Sequence, residues 1–208
     1  MPPLRETFLP DVREAEENLR VIRELMERST KYSTFSGWSG ILAGIASIAG
    51  CVVTQALQQR YPRPQDLRLP FLITWSVVIL FAIGADYSIT KRRAARVGKT
   101  IISRLGRQMA LASAPGLGTG ALLTLHLVQR GQIQDVYPIW MLCYGIAVSA
   151  VGLFSQREVT WLGTAFLLAG AATLLCFPAA GLAMTAVTFG GFHILYALAV
   201  ARRDGWEL

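Results

Sequence analysis

Six long apolar runs dominate the 208-residue sequence and restrict what it can fold into. Each is close to the ~20 residues that an α-helix needs to cross about 30 Å of hydrocarbon at 1.5 Å per residue. The sequence therefore predicts an all-α fold, a polytopic membrane bundle of six transmembrane helices. The runs lie at residues 35–57, 69–90, 108–129, 136–154, 159–177 and 179–201. A re-entrant element over the last two runs is the alternative, because only a tight apolar turn separates them.

The charged residues support a membrane location because they are few and segregated. They make up 16% of the chain, whereas hydrophobic residues make up 53%. Asp86 is the one formal charge that falls inside an apolar run, and a charge in hydrocarbon costs at least a few kcal/mol. The net charge of +7 is therefore interpreted as a signal of topology. Nucleic acid is not an expected partner, because no nucleic-acid-binding motif accompanies the basic residues.

A basic segment between the second and third runs orients the predicted bundle. Short loops rich in Lys and Arg stay on the cytoplasmic side of a membrane. With both termini cytoplasmic, sixteen of the twenty Lys and Arg residues lie on the inner side. The segment contains no acid, so it is also expected to contact anionic lipid headgroups. Its basic residues are Lys91, Arg92, Arg93, Arg96, Lys99, Arg104 and Arg107.

The region before the first run, residues 1–34, is predicted to be a cytoplasmic arm followed by an amphipathic helix from Asp11 to about Ser29. Apolar residues recur there at alternating spacings of three and four, which places them in one stripe along a helix. A partner-binding stripe is one interpretation, and a helix that floats on the membrane surface is the other. The stripe consists of Val12, Ala15, Leu19, Ile22 and Met26. Residues 202–208 are predicted to form a cytoplasmic tail.

Small residues at helical spacing predict close contacts between helices. Gly40 and Gly44 lie four residues apart in the first run, as Gly116 and Gly120 do in the third. Small side chains let helix backbones approach closely in a membrane. Packing within one bundle is favoured over a dimer interface. Pro115 removes a backbone hydrogen bond and is expected to kink the third helix.

Two ionisable residues within the runs are candidate ligand or proton-relay groups. Asp86 lies five residues before Lys91, so its Cα is about 7–8 Å inside the basic boundary at 1.5 Å per residue. An interfacial ion pair with Arg92 or Arg93 is the simpler interpretation. His193 lies about 13 Å from the inner boundary by the same rise. A neutral imidazole hydrogen-bonded to a neighbouring helix is the more common arrangement for such a residue.

No pattern in the sequence predicts catalysis, a metal or a cofactor. The cysteines Cys51, Cys143 and Cys176 stand alone in apolar runs, as packing residues do. A haem held by His126 and His193 is disfavoured, since their depths differ by roughly 10 Å or more at 1.5 Å per residue. No catalytic residue is therefore assigned.

The junction Leu25–Gly50, LMERSTKYSTFSGWSGILAGIASIAG, supplies the one resemblance to a known group. It resembles the start of a group of uncharacterised bacterial six-span integral membrane proteins, which share a charged helix, a Met-Glu-Arg-Ser-Thr turn and a Gly-rich first span. The resemblance implies a bacterial inner membrane and no particular activity.

Two functions are compatible with these patterns. The first is a non-enzymatic structural or regulatory membrane subunit that binds a protein partner, or a second copy of the chain, through the N-terminal helix or small-residue faces. The alternative is a small transporter or channel for an ion or small solute that uses Asp86 and His193. An intramembrane enzyme is the least supported, because paired polar groups are missing from the sequence.

Overall fold

The computed structural model describes residues 16–21, 37–96 and 104–204, and these residues are almost entirely helical. Five regular helices are followed by an interrupted sixth: α1 is Gly37–Arg60, α2 is Pro64–Arg96, α3 is Arg104–Gln129, α4 is Ile133–Gly152 and α5 is Arg157–Cys176. The sixth contains a 3₁₀ turn at Pro178–Ala180, α6 at Gly181–Thr185, a π-helical segment at Ala186–Phe192 and α7 at His193–Asp204. We call Pro178–Arg202 the sixth span.

The predicted fold class is confirmed. Six helices are long and apolar enough to cross a membrane, and the sixth span is one of them. The protein is therefore a membrane-embedded helical bundle. The part of the chain that the structure describes contains no β-strand.

The largest differences from the predicted boundaries concern α2. This helix begins at Pro64, before residue 69, and continues to Arg96, beyond residue 90. Proline is well suited to the first turn, where its missing N–H would have no helical partner, and Asp66 complements the helix dipole there. Basic residues at the other end complement the dipole as well, so the helix continues past the hydrocarbon. The predicted basic loop is correspondingly shorter than residues 91–107.

The bundle has one end marked by basic residues, which we call the basic end. Lys91, Arg92 and Arg107 are exposed there. Arg93 and Arg96 belong to the last turn of α2 and Arg104 begins α3, whereas Lys99 lies outside the described residues. The close approach of Gly37 to Ala201 brings the start of α1 and the end of α7 to the same end of the bundle.

The helices form a ring in which some neighbouring helices pack extensively and others touch at few positions. Helix α4 packs most extensively, against α5 and α3, and it also contacts the start of the sixth span. Helix α1 joins α2 to the sixth span. Helices α2 and α3 touch each other at few positions, and α2 is the least buried of the six. The core is formed by Leu67, Phe71, Val128, Ile133, Val136, Tyr137, Met141, Val148, Val159, Leu162 and Phe166.

The four predicted packing glycines lie at contacts between helices of the same chain. A Cβ on Gly40 would come 2.9 Å from the Cβ of Ala197, and one on Gly44 would come 2.8 Å from the Gly190 carbonyl oxygen. Both contacts join α1 to the sixth span. Between α3 and α4, a Cβ on Gly116 would lie 2.8 Å from the Cys143 carbonyl oxygen. Gly120 also faces Cys143, at 3.2 Å.

The backbone of the sixth span contains an irregular segment that the sequence did not predict. Helix α3 runs without interruption through Pro115. The sixth span instead contains the π-helical segment, which includes Gly190 and Gly191 and ends directly before His193. A π-helical segment widens the hydrogen-bonded turn by one residue, and such segments often occur at functional sites.

The predicted N-terminal helix is described in part. Residues 16–21 are helical and exposed, and the Leu19 side chain is 65% exposed. Val12, Ala15, Ile22 and Met26 lie outside the described residues.

Candidate functional site

Polar side chains from four elements meet inside the basic half of the bundle. They are Ser39 of α1, Asp86 of α2, Tyr144 of α4 and His193 of α7, and we call them the polar cluster. The two candidate residues of the sequence analysis, Asp86 and His193, belong to it together. They reach it from helices that are distant in the chain.

Asp86 has a neutral hydrogen-bond partner on α1. The Ser39 hydroxyl donates to its carboxylate. The other oxygen, Oδ1, is buried and has no hydrogen-bond partner among the described residues. Of the two arginines expected to pair with Asp86, Arg92 is exposed, and the side chain of Arg93 lies outside what the structure describes. One carboxylate oxygen of Asp86 is therefore unpartnered by the described side chains.

His193 is held in one tautomer by its backbone contact. Its Nδ1 lies 2.9 Å from the carbonyl oxygen of Phe189, which can only accept a hydrogen bond. Nδ1 therefore carries the proton and donates it. In the neutral imidazole Nε2 is then the acceptor, and it lies 2.7 Å from the Tyr144 hydroxyl, which donates to it.

Tyr144 is the residue that connects the two candidates. Its hydroxyl bonds His193 and is close enough to Asp86 for the two groups to interact electrostatically. It interacts with Tyr196 in the same way. If His193 takes up a proton, Nε2 becomes a donor and the Tyr144 oxygen accepts from it. The Tyr144 proton can then be donated to another acceptor, and the Asp86 carboxylate is an acidic group that interacts with Tyr144 electrostatically.

Aromatic rings surround Tyr144 and separate the polar cluster from the opposite half of the bundle. The Tyr144 ring centroid lies 4.8 Å from that of Phe166 and 5.0 Å from that of Phe189. Phe166 also contacts Phe192 at 5.5 Å, and Met141, one turn along α4, is fully buried. We call Met141, Phe166, Phe189 and Phe192 the aromatic layer. It offers no polar partner for an ion, so the cluster is closed on that side.

Tyr144 was not identified from the sequence. Thr185 and Thr188, which share the sixth span with His193, donate to carbonyl oxygens of their own helix at 2.9 and 2.8 Å. A signal for Tyr144 did exist in the sequence. Tyr137, Met141 and Tyr144 follow one another at spacings of four and three, which places them on one face of α4. Only the fold identifies that face as the inner one.

The remaining polar groups lie outside the cluster. Tyr137 accepts a 3.3 Å hydrogen bond from Gln58 Nε2 at the end opposite the basic end. His126 is exposed on α3, far from His193 along the bundle. Within the described ranges, no group of three or more His, Cys, Asp or Glu residues is placed to hold a metal ion.

Comparison with known proteins adds no assignment to this geometry. No protein family model matches the chain, and neither a curated protein nor a solved structure shows significant similarity to it.

Proposed function

We propose that this protein is a small membrane transporter in which Asp86 and His193 exchange protons while an ion or small solute crosses the bilayer. The observation that carries the proposal is that Tyr144 hydrogen-bonds His193 and interacts electrostatically with Asp86 inside the bundle. Ionisable groups within a membrane are costly, and they are candidate members of ion and proton pathways. A histidine with a purely structural role would need only the hydrogen bond to Tyr144. It would not need Asp86 near Tyr144 as well.

The arrangement favours alternating access over a channel. Tyr144 and His193 are partly buried, and the aromatic layer seals one side of the cluster. A channel would need a continuous polar path, whereas a site closed on one side suits alternating access. The π-helical segment is the natural place for the required movement, because irregular backbone beside a binding site is a recurrent feature of transporters.

The proposed location is the bacterial inner membrane, with both termini cytoplasmic and the basic end on anionic lipid. The resemblance of the Leu25–Gly50 junction supports the bacterial origin. The excess of Lys and Arg at the basic end supports the orientation, because positive loops are retained inside.

This orientation predicts which engineered cysteines react with a membrane-impermeant maleimide in spheroplasts. In a Cys176→Ser background, Arg63→Cys should be labelled, because the turn between α1 and α2 faces outward. Arg5→Cys and Glu207→Cys should be labelled only after lysis. Cys51 and Cys143 are buried and provide an internal check for background reaction. Labelling of either terminal cysteine in sealed spheroplasts contradicts the proposed orientation.

The transport proposal predicts proton movement that depends on the polar cluster. The purified full-length protein would be placed in liposomes containing a pH-sensitive dye, and each solute would be added outside. The panel is tetraphenylphosphonium, sodium, glucose, alanine and gluconate. At least one solute should change the internal pH about tenfold faster with the wild type than with Asp86→Asn or His193→Gln, because each variant removes a titratable group.

Asp66→Asn is the matched control for that measurement. Asp66 is exposed near the start of α2, at the opposite end of the same helix from Asp86. Its replacement should leave proton movement unchanged. Proton movement equal in wild type and His193→Gln would make His193 a structural residue, and no response to any solute would overturn the transport proposal.

The subunit hypothesis stays a second candidate because of residues 16–21. These residues are helical and exposed, and Leu19 places apolar surface in solvent within the described chain. Burying a Leu or Ile side chain contributes about 1.5–3 kcal/mol, enough for a few such residues to hold a partner helix. Leu19→Asp with Ile22→Asp should then release a partner or a second copy while the bundle stays folded. Native mass spectrometry of both forms measures this, and identical masses count against the subunit hypothesis.

A further inference from the structure

The unused oxygen of Asp86 limits what the proposed transporter can carry. Asp86 receives one hydrogen bond from a neutral hydroxyl, and Oδ1 receives none from the described residues. An ionised carboxylate without a compensating charge is strongly disfavoured inside a membrane. No side chain that the structure describes supplies such a charge, so the site is stable with a proton on Asp86 or with a cation bound beside it.

The surroundings of Asp86 favour an organic cation over a metal ion. Alkali and alkaline-earth cations require a shell of about six oxygen ligands. The cluster presents the Asp86 carboxylate with the hydroxyls of Ser39 and Tyr144, and the Tyr144 ring belongs to a group of packed aromatic rings. Ring faces attract cations and repel anions, and they accept an ion that has a weak hydration shell.

The ring of helices offers such a cation a route from the bilayer. Helices α2 and α3 contact each other at few positions, and Asp86 lies on α2. A Cβ added at Gly84 of α2 or Gly118 of α3 would meet no atom within 4 Å. Leu80 and Phe81 expose apolar surface on the same helix. A solute that passes this gap has to be soluble among lipid chains as well as charged.

We propose that the substrate is a lipophilic organic monocation, which enters between α2 and α3 and displaces the proton of Asp86. This inference rests on the proposed transport function and names its substrate class. One carboxylate binds one proton or one monovalent cation, so the exchange is one for one and carries no net charge. The proton leaves Asp86 as the cation binds.

Other titratable groups near Asp86 do not share this role. From α4 it faces Tyr144, which is linked to His193 and Tyr196 of α7. From α1 it faces Ser39, which does not titrate in this range. The described titratable groups of α3, Arg107 and His126, are exposed. On α2 itself, Lys91 and Arg92 are exposed at the basic end.

The test is calorimetric binding of tetraphenylphosphonium to the purified full-length protein in detergent, compared with tetraphenylborate. The two ions have the same shape and opposite charge. Tetraphenylphosphonium should bind and release about one proton, measured from buffers of different ionisation enthalpy. Its apparent Kd should rise about tenfold for each unit by which the pH falls, in the range where Asp86 is mainly protonated, because one proton competes for one site. Tetraphenylborate should bind at least tenfold more weakly.

Variants separate specific binding from partition into the micelle. Asp86→Asn should abolish the proton-linked binding, Asp86→Glu should retain it, and Asp66→Asn should match the wild type. Equal binding of the two ions, or equal binding of tetraphenylphosphonium by wild type and Asp86→Asn, would overturn the inference.

The liposome panel distinguishes this inference from the transport proposal. If glucose, alanine or gluconate moves protons in an Asp86-dependent way and tetraphenylphosphonium does not bind, transport stands and the cationic substrate is wrong. If tetraphenylphosphonium binds through Asp86 and no solute moves protons, the cation site stands and transport is wrong.

Discussion

Gly163→Ala should destabilise the bundle by about 1–3 kcal/mol, the usual cost of inserting a methyl group into a well-packed contact. A Cβ at this position of α5 would lie within 3.0 Å of the Ser149 amide nitrogen and of the Gly145 carbonyl oxygen, both on α4. Backbone atoms inside a helix cannot move aside as a flexible side chain can. The affected contact belongs to the most extensive helix pair of the protein, so the whole bundle should respond.

The measurement is the thermal unfolding midpoint of the purified protein in one detergent. For a chain of this size, each kcal/mol corresponds to about 2–4 °C. Gly118→Ala is the matched control, because a Cβ there would meet no atom within 4 Å and the position is exposed. Its midpoint should stay the same or rise slightly, since alanine favours a helix over glycine by about 1 kcal/mol. Equal midpoints for the two variants would show that α4 and α5 can separate without cost.

The helix count was predictable because it depends on local chemistry. A run of about 20 apolar residues has few alternatives to a membrane helix, since every backbone polar group must be satisfied within the segment. The ends of α2 were less predictable. Hydropathy locates the edge of the hydrocarbon, whereas Pro64 favours the start of the helix outside that edge.

The polar cluster was predictable only in part, because its contacts are tertiary. Asp86 and His193 stand out in the sequence as ionisable residues within apolar runs. Their partners do not, because Ser39 and Tyr144 are ordinary residues of other helices. Thr185 and Thr188 share the sixth span with His193. Their hydroxyls are occupied by carbonyl oxygens one turn earlier, the common local bond of threonine in a helix.

The π-helical segment is a feature that the sequence did not predict. Pro115 was expected to kink α3, and α3 is helical on both sides of it. Gly190 and Gly191 lie where the sixth span widens. A Cβ on Gly190 would come within 2.5 Å of Ile48 Cγ1 on α1, whereas one on Gly191 would meet no atom within 4 Å. The π-helical segment therefore contains one glycine, Gly190, that its contact with α1 requires, and a second, Gly191, whose replacement would meet no neighbour.

Tyr144→Phe should reduce Asp86-dependent proton movement in liposomes at least tenfold while the bundle stays folded. The phenylalanine ring keeps the contacts with Phe166 and Phe189, so packing and the unfolding midpoint should change little. The hydroxyl is lost, and with it the 2.7 Å hydrogen bond to His193. Removing one group from a proton pathway typically costs 10²–10⁴-fold in general acid–base steps, so tenfold is a conservative threshold.

A double-mutant cycle separates a relay from a packing role for Tyr144. Residues that act as one unit show strongly non-additive effects, because either change already breaks the unit. If protons pass between His193 and Asp86 through Tyr144, then Tyr144→Phe combined with His193→Gln should be no slower than the slower single variant. If the fold reductions in proton movement of the two single variants multiply in the double variant, the two residues act independently. In that case the 2.7 Å hydrogen bond between them would be a structural contact, and Asp86 would have to exchange its proton by another route.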